Sequence, residues 1–415
     1  MWFELVVKII ASGTLLLIGF CIPTQAQTSA QDCATLIGEK AIVACDNAIA
    51  NDPNNSLLFF YRGFASANIG DKKRAIQDYS QAIWFNPKDD LAYANRGNAW
   101  STQGEIEKAV SDYTTAISLN PSVASHFYNR ASAWVKKREL DRALSDYNDA
   151  IYLNPNFPEA LLYRGTTKLE IGDIENAIKD FNQTIILKPQ VAEAFSNRGI
   201  AFEKIGLYDQ AVSDFTQAIR LNPRDVDSLI GRGKILYDTG KIDASIVDLT
   251  DAIRMRPKEP YIFYYRAMAL FQKGENDRAI ADYKEVIRLD PKDANAFSNR
   301  GLIWSKKGNQ SLAISDFNES IRLNPQLAAA FLNRGVSWGT RGDQVSALAD
   351  YNEAIRLNPK YARAFAYRGL IHEENRDFER AISDFKIVVT LNSHDSDAIR
   401  ALEGFEKRLG RKIGR

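Results

Sequence analysis

The sequence is poor in the residues that build reactive centres. Three Cys and three His in 415 residues leave little material for a metal site, and His126, His372 and His394 show no ligand spacing. An excess of one charge is also missing. The 53 Lys+Arg against 52 Asp+Glu leave a net +1, which gives no general pull toward nucleic acid or an anionic membrane. No phosphate loop is present, because Gly233-Lys234 and Gly240-Lys241 are each followed by Ile. No Ser or Cys stands in a nucleophile motif. These absences predict a protein that is not an enzyme and takes no cofactor or metal. What remains, 45% apolar and 25% charged residues, is the composition of a globular chain.

One long apolar run stands at the N-terminus. Lys8 precedes Ile9 to Ile22, and Thr24-Gln25-Ala26 offers small residues at −3 and −1 of a cleavage site, so residues 1–26 read as a signal peptide. The other reading is an uncleaved anchor over residues 5–22, which contains Lys8 and falls short of the ~20 residues of a spanning helix. Phe20 before Cys21 argues against lipidation. The expectation is an exported protein, periplasmic or secreted, with no membrane contact once the signal is removed. Cleavage would leave Cys33 and Cys45, 12 residues apart, and a disulfide is the expected use of that even count. Two small buried hydrophobes are the plainer alternative.

A single period runs through the rest. Pro53, Pro87, Pro121, Pro155, Pro189, Pro223, Pro257, Pro291, Pro325 and Pro359 are each 34 residues apart. With proline at position 32, ten repeats follow: 56–89, 90–123, 124–157, 158–191, 192–225, 226–259, 260–293, 294–327, 328–361 and 362–395. The last carries Ser393 in place of proline. Residues 27–55 read as an N-terminal half-repeat cap, with Ala41, Cys45 and Ala48 in the phase of a second helix. Residues 396–415 read as a capping helix, with Ile399, Leu402, Phe405 and Leu409 on one side, and a basic tail.

Each repeat predicts two helices. Position 4 is large and apolar, and position 8 is Gly in eight repeats and Ala131 or Ala267 in the others, which implies a close helix crossing. Position 15 is Gly in eight repeats, suited to the left-handed residue that ends a helix, with Arg138 and Arg376 the exceptions. Positions 20, 24 and 28 are small, aromatic and Ile-like, one face of a second helix that opens near Asp141, Asp209, Asp243 or Asp277 at position 18. Proline then closes it, because it disfavours helical geometry in the residue before it.

Small at 8, Ala at 20, aromatic at 24 and Pro at 32 resembles the tetratricopeptide repeat over residues 56–395. The resemblance implies an all-α fold: an α-solenoid, a right-handed superhelix of antiparallel helix pairs, concave on the side of the first helices. It also implies an adaptor or assembly factor that binds a protein or peptide partner. One binding pattern of the family, a carboxylate clamp, needs Lys at position 5. No repeat has it; Ala94 stands there beside Asn98.

Position 7 is Arg in every repeat: Arg62, Arg96, Arg130, Arg164, Arg198, Arg232, Arg266, Arg300, Arg334 and Arg368. Position 23 is Asp in every repeat: Asp78, Asp112, Asp146, Asp180, Asp214, Asp248, Asp282, Asp316, Asp350 and Asp384. Matching counts of opposite charge beside two apolar seams predict a structural ion-pair ladder in preference to an anion-binding row. The sequence does not say whether a pair forms within a repeat or between neighbours.

In the family, positions 2, 5, 9 and 12 of the first helix face the groove. Here they give Ile230, Tyr237, Tyr261, Tyr264, Met268 and Phe271 in repeats 6 and 7, and Leu57, Phe60 and Phe64 in repeat 1. Aromatics and Met on a concave face suit an apolar partner segment; packing on the next repeat is the competing use. Trp100, Trp134, Trp304 and Trp338 at position 11 are expected in the core. Two rivals to a protein-binding scaffold remain. One is a carbohydrate- or peptidoglycan-binding module that stacks sugars on those rings, the other a membrane-tethered assembly factor that keeps residues 5–22.

Overall fold

The computed structural model describes residues 24–410. Most of the expected signal segment, and Arg411, Lys412 and Arg415 of the basic tail, lie outside the described residues. Every regular element among the described residues is an α-helix, and none is long and apolar enough to cross a membrane. The chain divides into two compact units, Met1–Gln190 and Val191–Arg415.

Among the described residues the first unit stacks five helix pairs. They are Thr24–Thr35 with Gly38–Asn51, Ser56–Asn68 with Lys72–Phe85, Asp90–Gln103 with Ile106–Leu119, Ala124–Lys136 with Leu140–Leu153, and Pro158–Glu170 with Ile174–Leu187. The second stacks six: Ala192–Lys204 with Tyr208–Leu221, Val226–Asp238 with Ile242–Met255, Pro260–Lys273 with Asn276–Leu289, Ala294–Lys306 with Gln310–Leu323, Ala328–Thr340 with Gln344–Leu357, and Ala362–Glu374 with Phe378–Leu391. Ser396–Leu409 closes it.

The turn inside each pair is only two or three residues long, so the helices run antiparallel. Its tightness rests on position 15. Gly70, Gly104, Gly172, Gly206, Gly240, Gly274, Gly308 and Gly342 hold φ between 76° and 88°. Arg138 and Arg376 take up the same left-handed conformation, at 63° and 61°, against the Cβ clash that other residues avoid. The second helix begins at position 17, so Asp141, Asp209, Asp243 and Asp277 are first-turn acids. The side-chain caps stand two residues earlier: Asp71, Asn309, Asp343 and Asp377 each accept a backbone N–H of the first turn.

The two helices cross where position 8 meets position 24. A Cβ on Gly97 would lie 2.7 Å from the Tyr113 ring, and one on Gly335 2.6 Å from Tyr351. The missing side chain is therefore the space in which the buried ring sits. The position-11 tryptophans are half-buried, not fully in the core. Each has a cation over its ring, as Lys108 over Trp100 at 4.5 Å and Arg341 over Trp338 at 5.4 Å.

Every position-7 arginine is bonded within its own repeat. Nε and Nη2 donate to the two carboxylate oxygens of the aspartate 16 residues later, with Nη2 2.6–2.8 Å from its acceptor in all ten. The aspartates are buried. The guanidinium also lies 5.3–5.9 Å from the position-4 ring wherever that residue is aromatic. The third nitrogen reaches backward to position 25 of the preceding repeat: Arg96 to Ser80 at 3.1 Å, Arg130 to Thr114 at 3.2 Å, Arg164 to Asn148 at 2.8 Å, Arg232 to Thr216 at 3.0 Å, Arg334 to Asn318 at 2.7 Å. One arginine thus ties its own helix pair together and fastens it to the one before. Arg300 is different. Lys284 stands at its backward position and cannot accept a hydrogen bond.

The N-terminal pair is stitched by a Cys33–Cys45 disulfide, and Ala41, Cys45 and Ala48 are buried. A partner helix, Thr24–Thr35, completes what reads as half a repeat in the sequence. At the other end Ala398, Leu402 and Phe405 are buried, Phe405 lying 5.7 Å from the Phe378 ring.

Candidate binding groove

Three consecutive first helices of the second unit, Val226–Asp238, Pro260–Lys273 and Ala294–Lys306, frame a hollow of about 490 Å³. Pro260 at the start of the middle helix presets its φ, and Gly274 ends it in the left-handed region. Tyr237, Met268, Phe271 and Leu302 line the hollow with apolar surface, and Tyr283 forms part of its floor. Gln272, Asn299 and Lys306 supply the polar rim.

The floor is held rigidly. The Asn299 amide donates to the Tyr264 hydroxyl at 2.9 Å, and the Tyr264 ring stands edge-on to Tyr283 at 5.6 Å and 83°. Burial, then the nearby carboxylates Asp238 and Asp293, push the Tyr237 and Tyr264 hydroxyls up. The Lys306 ammonium lies 4.5 Å from the Phe271 ring centroid and is the one charged group on the lining. Its neighbour along the groove, Lys234, is already neutralised by Glu203 at 3.0 Å and sits over Tyr265.

Of the residues singled out in the sequence, Tyr237, Met268 and Phe271 converge on the hollow. Tyr264 lies behind it as framework. Tyr261 is exposed on the same helix, next to the Arg256–Asp227 pair. Ile230 is a correction: it is only 7% exposed and packs with Val226, Leu229, Leu249, Ala252 and Ile262. Position 5 is a core position in several repeats, not a groove position: Leu162 and Leu332 stand at the same place and are buried as Ile230 is.

In the first unit, Leu57 and Phe64 are exposed on Ser56–Asn68, while Phe60 leans on Tyr79 at 5.8 Å. Sequence reasoning missed Gln272, Asn299, Leu302 and Lys306. Leu302 occupies position 9 of the eighth repeat, so extending the same register by one repeat finds it; Asn299 and Lys306 stand at positions 6 and 13, outside the four positions considered.

Among the described residues no group of His, Cys, Asp and Glu could hold a metal. His126 is buried with its Nε2 2.8 Å from Asp90, a bridge between neighbouring helix pairs far in sequence from the hollow.

Sequence models of the tetratricopeptide repeat match residues 91–123, 192–225, 267–308 and 339–396. No curated protein matches the chain. Among solved structures it is similar to YrrB, described as a TPR protein with an unusual peptide-binding site, at 21% identity and TM-score 0.43, covering 44% of this chain and 95% of that one. A tetratricopeptide repeat protein from Parabacteroides merdae matches at 22% identity and TM-score 0.43, over 60% of this chain and 98% of that one. A chain of the APC/C hetero-tetramer Cut9-Hcn1 matches at 14% identity and TM-score 0.48, over 91% and 94%.

Proposed function

This chain is a tetratricopeptide-repeat protein, and we propose that it is a non-catalytic scaffold that holds an apolar segment of a partner protein in the Tyr237–Lys306 hollow. Proteins built on this repeat serve as interaction scaffolds, and the hollow has the features such use requires. It offers part-exposed aromatic and Met surface on a preformed floor, which limits the ordering cost of binding. The observation that carries the reading is the Met268–Phe271–Leu302 lining under one ammonium with no carboxylate on the same surface. Lys306 favours a segment that brings a carboxylate or carbonyl next to its apolar side chain.

The compartment we propose is extracytoplasmic. The apolar run before Thr24 and the Cys33–Cys45 bridge support it, since disulfides persist where the surroundings are oxidising. Mass spectrometry of the mature N-terminus tests this: a chain starting at Gln27 fits export with cleavage, and an intact Leu5–Ile22 segment fits the tethered alternative.

A photo-crosslinking residue at Gln272, on the rim, tests the groove. The expected result is a discrete protein captured by the wild type and lost with Phe271→Ser and with Lys306→Glu, while Lys88→Glu, in the first unit, captures it unchanged. Equal capture by all variants would overturn the site. Capture of polysaccharide alone would overturn protein binding.

A further inference from the structure

Position 29, near the end of each second helix, faces solvent. In the second unit it is Arg220, Arg254, Arg288, Arg322 and Arg356 in five successive repeats, of which Arg254, Arg288, Arg322 and Arg356 each pair with an acid three residues earlier. In the first unit the same position carries Trp84, Ser118, Tyr152 and Ile186. Their exposures, 77% for Trp84, 86% for Tyr152 and 72% for Ile186, are among the highest of any large apolar side chains among the described residues. Packing does not demand them, because the next five repeats fill the place with arginine. Exposed surface of this kind marks an interaction site.

We propose that this row is a self-association surface, and that its occupant is the same row of a second copy of the chain. A two-fold interface puts residue i against j and j against i. With the axis between the second and third of these repeats, Trp84 faces Ile186 and Ser118 faces Tyr152. The one small member of the row receives the most exposed ring, and the two remaining bulky members meet each other. The row fits itself best in this antiparallel register; a shift by one repeat sets Tyr152 against Tyr152 in one direction, or Ser118 against Ser118 in the other.

Charge points the same way. Of the eight flanking residues at positions 22 and 26, six are Gln, Ser or Thr, and the two charged ones, Asp149 and Lys179, are opposite in sign. Two such faces meet without like-charge repulsion. The arginine row of the second unit lacks that property. At about 150–250 Å² for each ring, plus isoleucine, two copies remove roughly 1,000 Å², the lower end for a specific interface. An interface under about 1,200 Å² belongs to the weak, transient class.

Sedimentation equilibrium on the protein as its cells process it tests the proposal. The wild type should rise toward twice the single-chain mass across the micromolar range. Trp84→Arg/Tyr152→Arg, which installs the residue the fold already accepts at that position, should stay single with unchanged circular dichroism. Register is tested by oxidising mixed variants. Ser118→Cys with Tyr152→Cys should crosslink between copies, and Trp84→Cys with Tyr152→Cys should not. A single-chain mass at all concentrations would overturn the proposal. So would an equal mass rise in the arginine variant, or a crosslink in the second mixture only. Vesicles of phosphatidylcholine and phosphatidylglycerol that bind wild type but not the variant, with the mass unchanged, would overturn it in favour of a lipid surface.

Discussion

The Arg–Asp ladder allows a quantitative test, and the Arg232–Asp248 rung isolates it best. Position 4 of that repeat is Leu229, so no ring contributes beneath the guanidinium. Arg232 gives two bonds to Asp248, at 2.7 and 2.8 Å, and one to Thr216 at 3.0 Å. The aspartate side chain is 7% exposed and the arginine 20%. At about 4 Å between charge centres and an effective dielectric constant near 20, their attraction is about 4 kcal/mol. Desolvation consumes much of it, so the pair's net worth is small while the cost of breaking it is large. Arg232→Met, which strands a buried carboxylate, should cost about 3–5 kcal/mol. Asp248→Leu should cost less, because the arginine head is better solvated and keeps Thr216. The double variant Arg232→Met/Asp248→Leu should return to within about 1 kcal/mol of wild type. Hydrogen exchange of Val226–Asp238 and Ile242–Met255, read by mass spectrometry, reports the local free energy without assuming two-state unfolding. Costs that simply add in the double variant would refute the coupling, as would a loss below about 1 kcal/mol for Arg232→Met.

Two further predictions rest on departures from the repeat. Lys284→Thr supplies the missing acceptor for Arg300 and should slow exchange in Ala294–Lys306 about fivefold, the effect of one net hydrogen bond near 1 kcal/mol; unchanged exchange would show that water already serves Arg300. Arg376→Gly removes the clash of a left-handed residue and should raise stability by about 0.5–1 kcal/mol in thermal unfolding, with Gly342→Arg lowering it; a neutral result at both sites would mean that the turn does not sense its Cβ.

Much of the fold is legible because each structural demand recurs in every repeat. Position 8 reads as small because a ring occupies its space, and positions 7 and 23 read as paired because their counts match. Pairing within the repeat is a different matter, since the 16-residue separation has meaning only once two antiparallel helices set both side chains side by side. The backward bond was present in the sequence as a row of Ser, Thr and Asn at position 25. It carries no apolar or charged signature, so only the direction of the third guanidinium nitrogen identifies it. Ile230 was misread because position 5 was assigned to the groove, whereas Leu162, Ile230 and Leu332 at that position all pack into the core.

The hollow and the broken rung fall together, and this bears on how a partner would be held. The groove helices Pro260–Lys273 and Ala294–Lys306 belong to the two repeats that the Arg300 backward bond would have joined. Lys284 denies them that bond, while Asn299 compensates from the groove side by bonding to Tyr264. The junction is thus fastened partly by a contact at the hollow itself, beside the Lys307–Asp277 pair and the core that Ala296 and Ile303 share with Tyr283. Elsewhere each rung runs from a first-helix arginine to two second helices, and no rung residue lines the hollow, so a ligand there would leave the rungs untouched. Here anything that draws on the Asn299 amide would loosen the fastening between the two repeats, and anything that packs on Phe271 and Leu302 together would replace it. Spacing between these repeats is accordingly one that a groove ligand is placed to change.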